Sequence, residues 1–199
     1  MMSVGVPHEG VVWPYGDSEL WRFTTSTLVW ERVESNTTVV NESRPSARND
    51  HTMTSVGLDL WVHGGVKPLN GVDYNSDLWI FRTSTLGWER VNTTTTEEGR
   101  HLSGRFRHTM TSVGLDLWVH GGQTEGGGML PADDLWRFTT STLVWERVDT
   151  TSTNEAHPSA RTGHTMTSVG LDLWVHGGST SLGLDSNTNT LTISGEGDT

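Results

Sequence analysis

An all-β fold of repeated antiparallel sheets is predicted by three features of the sequence. The fifteen residues HTMTSVGLDLWVHGG stand unchanged at 51–65, 108–122 and 164–178, so a unit recurs at separations of 57 and 56 residues. A second block keeps phase with it: ELWRFTTSTLVWERV at 19–33, DLWIFRTSTLGWERV at 77–91 and DLWRFTTSTLVWERV at 134–148. No segment sustains helical periodicity, and Thr, Val, Trp and Phe dominate the candidate strands.

Each unit reads as four short strands, A (51–56), B (58–63), C (78–83) and D (86–91), with equivalents in the other copies. Gly57-Leu58-Asp59 joins A to B, where glycine relieves the positive-φ strain of a tight hairpin. The hydroxyl-rich Thr83-Ser84-Thr85 joins C to D. Links this short imply antiparallel neighbours. In B, the period of two puts Leu58, Leu60 and Val62 on one face and Asp59, Trp61 and His63 on the other. A sheet with bulky apolar groups on both faces must be covered on both, which four-stranded sheets achieve by stacking face to face around an axis. The predicted architecture is a β-propeller with each unit a blade.

The framework positions resemble the kelch repeats, whose pattern has an Arg and a His opening strand A, a Gly pair closing strand B, an aromatic residue in C and a Trp in D. Here these are Arg48, His51, Gly64, Gly65, Trp79 and Trp88, then Arg105, His108, Gly121, Gly122, Trp136 and Trp145. The last copy keeps Arg161, His164, Gly177 and Gly178, while the first has only Gly16-Asp17 where the Gly pair belongs. The resemblance implies a kelch-type propeller of about three and a half four-stranded blades, a partial or open ring, because closed rings take about 4–8. Its divisions are a partial first blade at 1–47, a second at 48–104, a third at 105–160, and a fourth at 161–199 with strands A and B, a weak C, no D and a tail. An open ring leaves two apolar blade faces uncovered, so either self-association through them or a longer parent protein is expected.

Composition narrows the function. With Lys+Arg 13 against Asp+Glu 24 the formal charge is −11, which repels phosphate backbones and argues against nucleic acid as a partner. No apolar run approaches the roughly 18 residues of a membrane-spanning helix, and MMSVGVPHEG has no basic or apolar signal region, so no membrane partner is expected and the cytoplasm is favoured. The sequons at Asn36, Asn41 and Asn92 therefore read as chance triplets of a Thr-rich chain. The absence of Cys removes disulfides, thiolate metal sites and Cys nucleophiles. It also excludes the Cys–Tyr copper site of galactose oxidase, a kelch-type relative. No Glu is followed by Asp four and His eight residues on, the iron-associated pattern of the nitrile-specifier proteins. The reading is a binding module with another protein as partner, without enzyme activity or cofactor; the alternatives are a carbohydrate-binding propeller, or a non-catalytic fragment of a larger kelch-containing enzyme or scaffold.

Connectivity places the A–B and C–D turns at one end of every blade and the B–C and D–A links at the other. The first end is nearly identical between copies, whereas the second carries the dissimilar segments 66–76, 92–104, 123–132 and 149–160. Variable loops on a rigid scaffold are where recognition resides. Tyr74, Asn75, Arg100, His101 and Met129 are the candidate partner contacts, as aromatic, polar, cationic and soft apolar groups. The histidines spaced by twelve, such as His51 and His63, could ring an axis around a metal, but they read more simply as framework. The Arg guanidinium is expected to bridge carbonyls between blades, and Asp59, Asp116 and Asp172 to stabilise the A–B turn. Ten Trp residues at fixed repeat positions read as packing, since none lies in a variable loop.

Overall fold

The computed structural model describes residues 18–36, 44–67, 73–96, 102–125, 128–131, 134–150 and 157–180. Among them all regular structure is strand. A two-stranded antiparallel sheet, β1 (Trp21–Thr24) and β2 (Val29–Arg32), comes first. Next are β3 (Thr52–Val56), β4 (Asp59–His63), the short pair β5 (Val66–Lys67) and β6 (Asp73–Tyr74), then β7 (Leu78–Arg82) and β8 (Gly87–Val91). The four long strands form one sheet in the order β3-β4-β7-β8, each antiparallel to the next.

The following unit repeats this order with β10 (Thr109–Val113), β11 (Asp116–His120), β12 (Leu135–Thr139) and β13 (Val144–Arg147). Its outer edge receives β9 (Thr94–Thr95), which pairs parallel to β13 from the link leaving the preceding sheet. The last hairpin is β15 (Thr165–Val169) and β16 (Asp172–His176), beside the short pair β14 (Arg161–Thr162) and β17 (Ser179–Thr180). The described residues thus hold two complete A-B-C-D sheets flanked by a C–D hairpin and an A–B hairpin. Among the described residues this is an all-β row of propeller blades whose ring is not closed.

The turns differ from expectation in one respect. Gly57, Gly114 and Gly170 do take positive φ, at 60°, 60° and 62°. The C–D turn, however, is closed by a leucine in the same left-handed region: Leu28, Leu86 and Leu143 have φ of 57°, 54° and 59°. The Leu28 and Leu143 amides donate to Thr24 and Thr139 carbonyls at 2.8 and 2.9 Å, and the turn tolerates the strained leucine to make these bonds. Leu58, assigned above to strand B on the face of Leu60 and Val62, instead lies in the A–B turn and is exposed, because β4 begins at Asp59.

Each complete sheet has two working faces. On β4 and β7, Trp61 stands opposite Ile80 and His63 opposite Leu78, forming what we term the leaving face. The entering face of the next sheet carries Leu117 opposite Phe138, Val119 opposite Trp136, and Trp145 opposite Phe138. These two faces, with Met110 and Leu102, make the buried core. The Trp61 and Phe138 rings lie 5.8 Å apart, and the His63 and Trp145 rings 5.6 Å. Nearer the axis, Ser112 Oγ donates to the Ser55 carbonyl at 2.8 Å and Ser168 Oγ to the Ser112 carbonyl at 2.7 Å, so the A strands lie side by side around the ring.

Trp61→Ala removes an indole from the centre of this interface and should destabilise the protein by about 3–5 kcal/mol in urea unfolding. A loss below about 1 kcal/mol would place that indole outside the core.

Candidate functional site

The site is built on the framework that fixes the variable loops, and its anchor is a buried arginine in each complete blade. Arg48 donates from Nη1 to the Gly64 carbonyl at 2.9 Å and to Asp77 Oδ1 at 2.7 Å, while Nη2 reaches Asp77 Oδ2 at 2.9 Å. Its Nε–H bonds the Ser46 carbonyl at 3.0 Å. Trp79 Nε1 donates to Asp77 Oδ2 at 2.6 Å, completing the carboxylate's shell. Arg105 repeats the arrangement with Gly121, Ser103 and Asp134, and Trp136 donates to Asp134 at 2.9 Å. Burial works against the Asp77 carboxylate, but the Arg48 bonds outweigh it and hold its pKa below the usual aspartate range. For Arg105, burial is the larger effect and lowers the pKa, while Asp134 opposes it.

These bonds correct the expectation of a bridge between blades, since each guanidinium ties the segment before strand A to the start of strand C within one blade. The carboxylate partners Asp77 and Asp134 were missed. Their signal is visible in the repeat, where an acid precedes Leu-Trp in every second block: Glu19, Asp77 and Asp134. The Asp residues expected at the A–B turn also act elsewhere. Asp59 Oδ2 accepts from Arg82 at 2.8 Å and its Oδ1 from the Thr83 amide at 3.2 Å, and Asp116 accepts from Arg137 Nε at 2.8 Å, so both join strand B to strand C.

The Gly pair belongs to the same framework. Gly64 and Gly65 take φ of 69° and 89°. A Cβ on Gly64 would sit 2.7 Å from the Arg105 carbonyl oxygen of the next blade, so neither the conformation nor the space admits a side chain. The Gly65 amide uses that approach to donate to the Arg105 carbonyl at 2.8 Å.

The histidines meet in pairs across blade boundaries. His63 Nδ1 lies 3.1 Å from His108 Nε2, which is also 2.8 Å from Thr52 Oγ1. His120 Nδ1 and Thr109 Oγ1 stand at 3.0 and 2.8 Å from His164 Nε2 in the same way. Burial first, then the neighbouring Arg105 charge, pushes His63 down to about 3; burial, then His120, pushes His164 down to about 4. Burial likewise lowers His108, so His63, His108 and His164 are neutral near pH 7. Among the described residues no three His, Cys, Asp or Glu converge on a common point that could hold a metal.

At the loop end of the second blade a cleft is lined by Arg44, Lys67, Asp73, Tyr74, Asn75 and Arg90. Lys67 Nζ reaches Asp73 at 2.7 Å across the β5–β6 pair, and the Tyr74 ring packs 5.4 Å from Phe106 of the next blade. Asn75 needs correcting as a contact residue: it is buried, with Nδ2 donating to the Gly65 carbonyl at 3.1 Å, so it sets the loop's exit from the Gly pair. Met129 is half-buried and bridges Gln123 in the corresponding loop of the third blade. Arg100 and His101 lie outside the described residues.

A row of stacked sheets presenting dissimilar loops at one end is a repeat-propeller scaffold. The family model described as the KLHDC2/KLHL20/DRC7 Kelch-repeats domain matches residues 15–178, so the chain belongs to the kelch-repeat family. It is 33% identical over 141 residues to the Rab9 effector protein with kelch motifs of Danio rerio, covering 66% of this chain and 37% of that protein. It is 30% identical over 164 residues to Tip elongation aberrant protein 1 of Schizosaccharomyces pombe, covering 81% of this chain and 13% of that protein. A third relative is an enzyme by name, the N-(sulfonatooxy)prop-2-enimidothioate sulfolyase of Thlaspi arvense, 28% identical over 157 residues, 78% of this chain and 41% of that protein. The chain thus spans well under half the length of each. Kelch repeats and relatives of this kind mark a protein-interaction module.

Two outcomes follow from the buried polar groups. Asp134→Ala strands the Arg105 charge at 1% exposure and should cost about 3–5 kcal/mol in chemical unfolding. Because His63 and His164 titrate near 3 and 4 when folded and near 6.5 when unfolded, the unfolded chain takes up protons first as acid is added. Stability is full above that unfolded value and falls as pH drops from it towards the folded values, with Asp77 adding a further loss in stronger acid. Calorimetry should show a lower Tm at about pH 5 than at about pH 7.5, and equal values would contradict a neutral His63 and His164.

Proposed function

We propose that the protein is a non-catalytic scaffold that binds another protein through the loop end of its blades. Tyr74 and Met129 are its contacts, with Arg100 and His101 in the intervening link. The supporting observation is the contrast between the two ends. The three A–B turns are identical in sequence, whereas the cleft is lined by Lys67, Asp73 and Tyr74, which the other blades do not repeat, beside Arg90 of the repeated D strand. The framework of Arg48, Asn75 and the Gly pair holds that loop from beneath, which lowers the ordering cost of binding. A relative named as an effector of Rab9 agrees with a protein partner.

The enzyme-named relative gives the second reading its only specific support. Against it stands the missing Glu-x-x-x-Asp-x-x-x-His pattern and the use of buried acids and histidines in framework bonds. Binding to carbohydrate is weakened by the placement of Trp61, Trp79, Trp136 and Trp145 in the core.

Replacing segments 66–76 and 123–132 by Gly-Ser, with circular dichroism unchanged, should abolish retention of protein partners in affinity purification. Retention of glycans but not proteins, lost in the same variant, would favour the carbohydrate reading. Arg100→Ala should leave the fold intact and weaken partner binding; unfolding would make that residue structural.

A further inference from the structure

The end formed by the A–B and C–D turns is studded with leucines that the fold does not require. Leu58, Leu115 and Leu171 tip the A–B turns, and Leu28, Leu86 and Leu143 the C–D turns. Leu115 belongs to a complete sheet with described neighbours on both sides, yet it is 67% exposed, beside 85% for Leu58. Met110, in the same hairpin as Leu115, is buried. The exposure therefore comes from the place in the turn and not from a missing neighbour. Neither turn asks for leucine. The residue after a positive-φ glycine at a hairpin tip is ordinarily polar, and the left-handed φ of Leu86 and Leu143 is one that Asn or Gly adopts with less strain. Apolar side chains that strain a turn and stand in water mark a surface held for contact.

The leucines share one shelf. The Ser112 bond to the Ser55 carbonyl and the Ser168 bond to the Ser112 carbonyl set the three A–B turns at one height around the ring. Within each complete blade the two turns are tied together, because Thr83 Oγ1 donates to the Leu58 carbonyl and Thr140 Oγ1 to the Leu115 carbonyl, both at 2.9 Å. Between the second and third blades the shelf is broken by a cleft of about 460 Å³. Val56, Ile80 and Val91 of one blade and Leu143 of the next line it, along with the paired Asp59 and Arg82.

The chemistry of this shelf matches itself. In a chain of formal charge −11, the tips hold only Gly, Leu, Thr and Ser, so two such surfaces meet without burying like charges against each other. Asp59 and Asp116, just behind the tips, are already bound by Arg82 and Arg137. The exposed hydroxyls of Ser84, Thr85, Ser141 and Thr142 both donate and accept, so identical surfaces can hydrogen-bond one another. The loop end has no such self-complementarity, since Arg44, Lys67, Asp73 and Arg90 surround its cleft.

We propose that the turn end is a self-association surface, on which a second copy of this chain docks turn end to turn end about a two-fold axis. A two-fold sets the same patch on both sides of the contact, which suits a surface of repeated apolar knobs and hydroxyls. Leucines of one copy seat in the gaps between the turns of the other, the cleft beside Leu143 among them. A fluid lipid surface would leave that cleft unfilled, whereas a leucine-tipped turn can enter it. The contact needs neither a particular opening of the ring nor the loop-end function. If the loop-end reading holds as well, the paired form displays two loop ends facing apart and engages its partner bivalently.

The test uses the whole chain. Light scattering after size exclusion should give about twice the 21.9 kDa chain mass. Leu58→Asn combined with Leu115→Asn and Leu171→Asn puts turn-favouring residues at exposed tips, so it should keep the circular dichroism while weakening the dimer at least about tenfold. Because the chain has no Cys, Ser84→Cys at the turn end and Ser76→Cys at the loop end can be compared with a short bismaleimide. Cross-linked pairs are expected from Ser84→Cys and not from Ser76→Cys. A single-chain mass for the wild type, a dimer unmoved by the leucine variant, or equal cross-linking at the two ends would overturn the proposal. Dissociation by Met53→Asp, on a blade face, with the leucine variant still dimeric would overturn it too. So would a monomer that sediments with phosphatidylcholine vesicles and needs the leucines to do so, which would assign the turn end to lipid. The Gly-Ser exchange of segments 66–76 and 123–132 should leave the dimer intact, so this proposal and the loop-end function fail separately.

Discussion

The structure depends on one constraint: a blade of this sequence has two apolar faces, and each is finished only by the opposite face of a neighbour. Trp61 and His63 are buried because Met110, His108, Phe138 and Trp145 lie against them, not because of anything in their own sheet. Burying one indole of this kind is worth about 3–5 kcal/mol, so a row of such contacts outweighs local strand propensity. The nearest-neighbour character of repeat proteins takes a concrete form here, since identical fifteen-residue hairpins differ in exposure according to what stands beside them.

That stacking demands a fixed approach between blades, and the polar framework supplies it. The Arg48–Asp77 and Arg105–Asp134 pairs lock the segment before strand A to the start of strand C, so that each sheet enters the stack with its loops already placed. The Gly pair lets the backbone of the next blade come within hydrogen-bonding distance, as the Gly65 bond to the Arg105 carbonyl shows. The histidine pairs fill the remaining gap, with His63, His108 and His164 held neutral. The recognition loops inherit their positions from these bonds, and Asn75 is the link between the two levels.

Much of the fold was legible because the repeat wrote it three times. The four long strands of a complete blade, the A–B glycine turn and the kelch framework followed from spacing and period two, whereas the short strands β5, β6, β9, β14 and β17 did not. What escaped has physical reasons. The left-handed leucines of the C–D turns carry no compositional mark, because leucine is a poor guide to positive φ. The Arg partners Asp77 and Asp134 lie 29 residues downstream of their arginines, and only the closed blade brings them together. Asn75 looked like a loop residue because polarity in a variable segment does not reveal that a side chain turns inward to the Gly65 carbonyl. The loop-end cleft was legible as a location, through sequence dissimilarity, but not in its lining, since Arg44, Arg90 and Tyr74 come from three separate segments.

The most direct measurement of the stacking constraint is the rate at which peroxide oxidises Met110 in the folded protein and in urea, read by mass spectrometry of the peptide carrying it. Its thioether lies between the second and third blades at 6% exposure. Folding should therefore slow its oxidation by roughly tenfold or more. Equal rates in the folded and unfolded chain would show that the blades do not cover one another, and the account of this fold would fail with them.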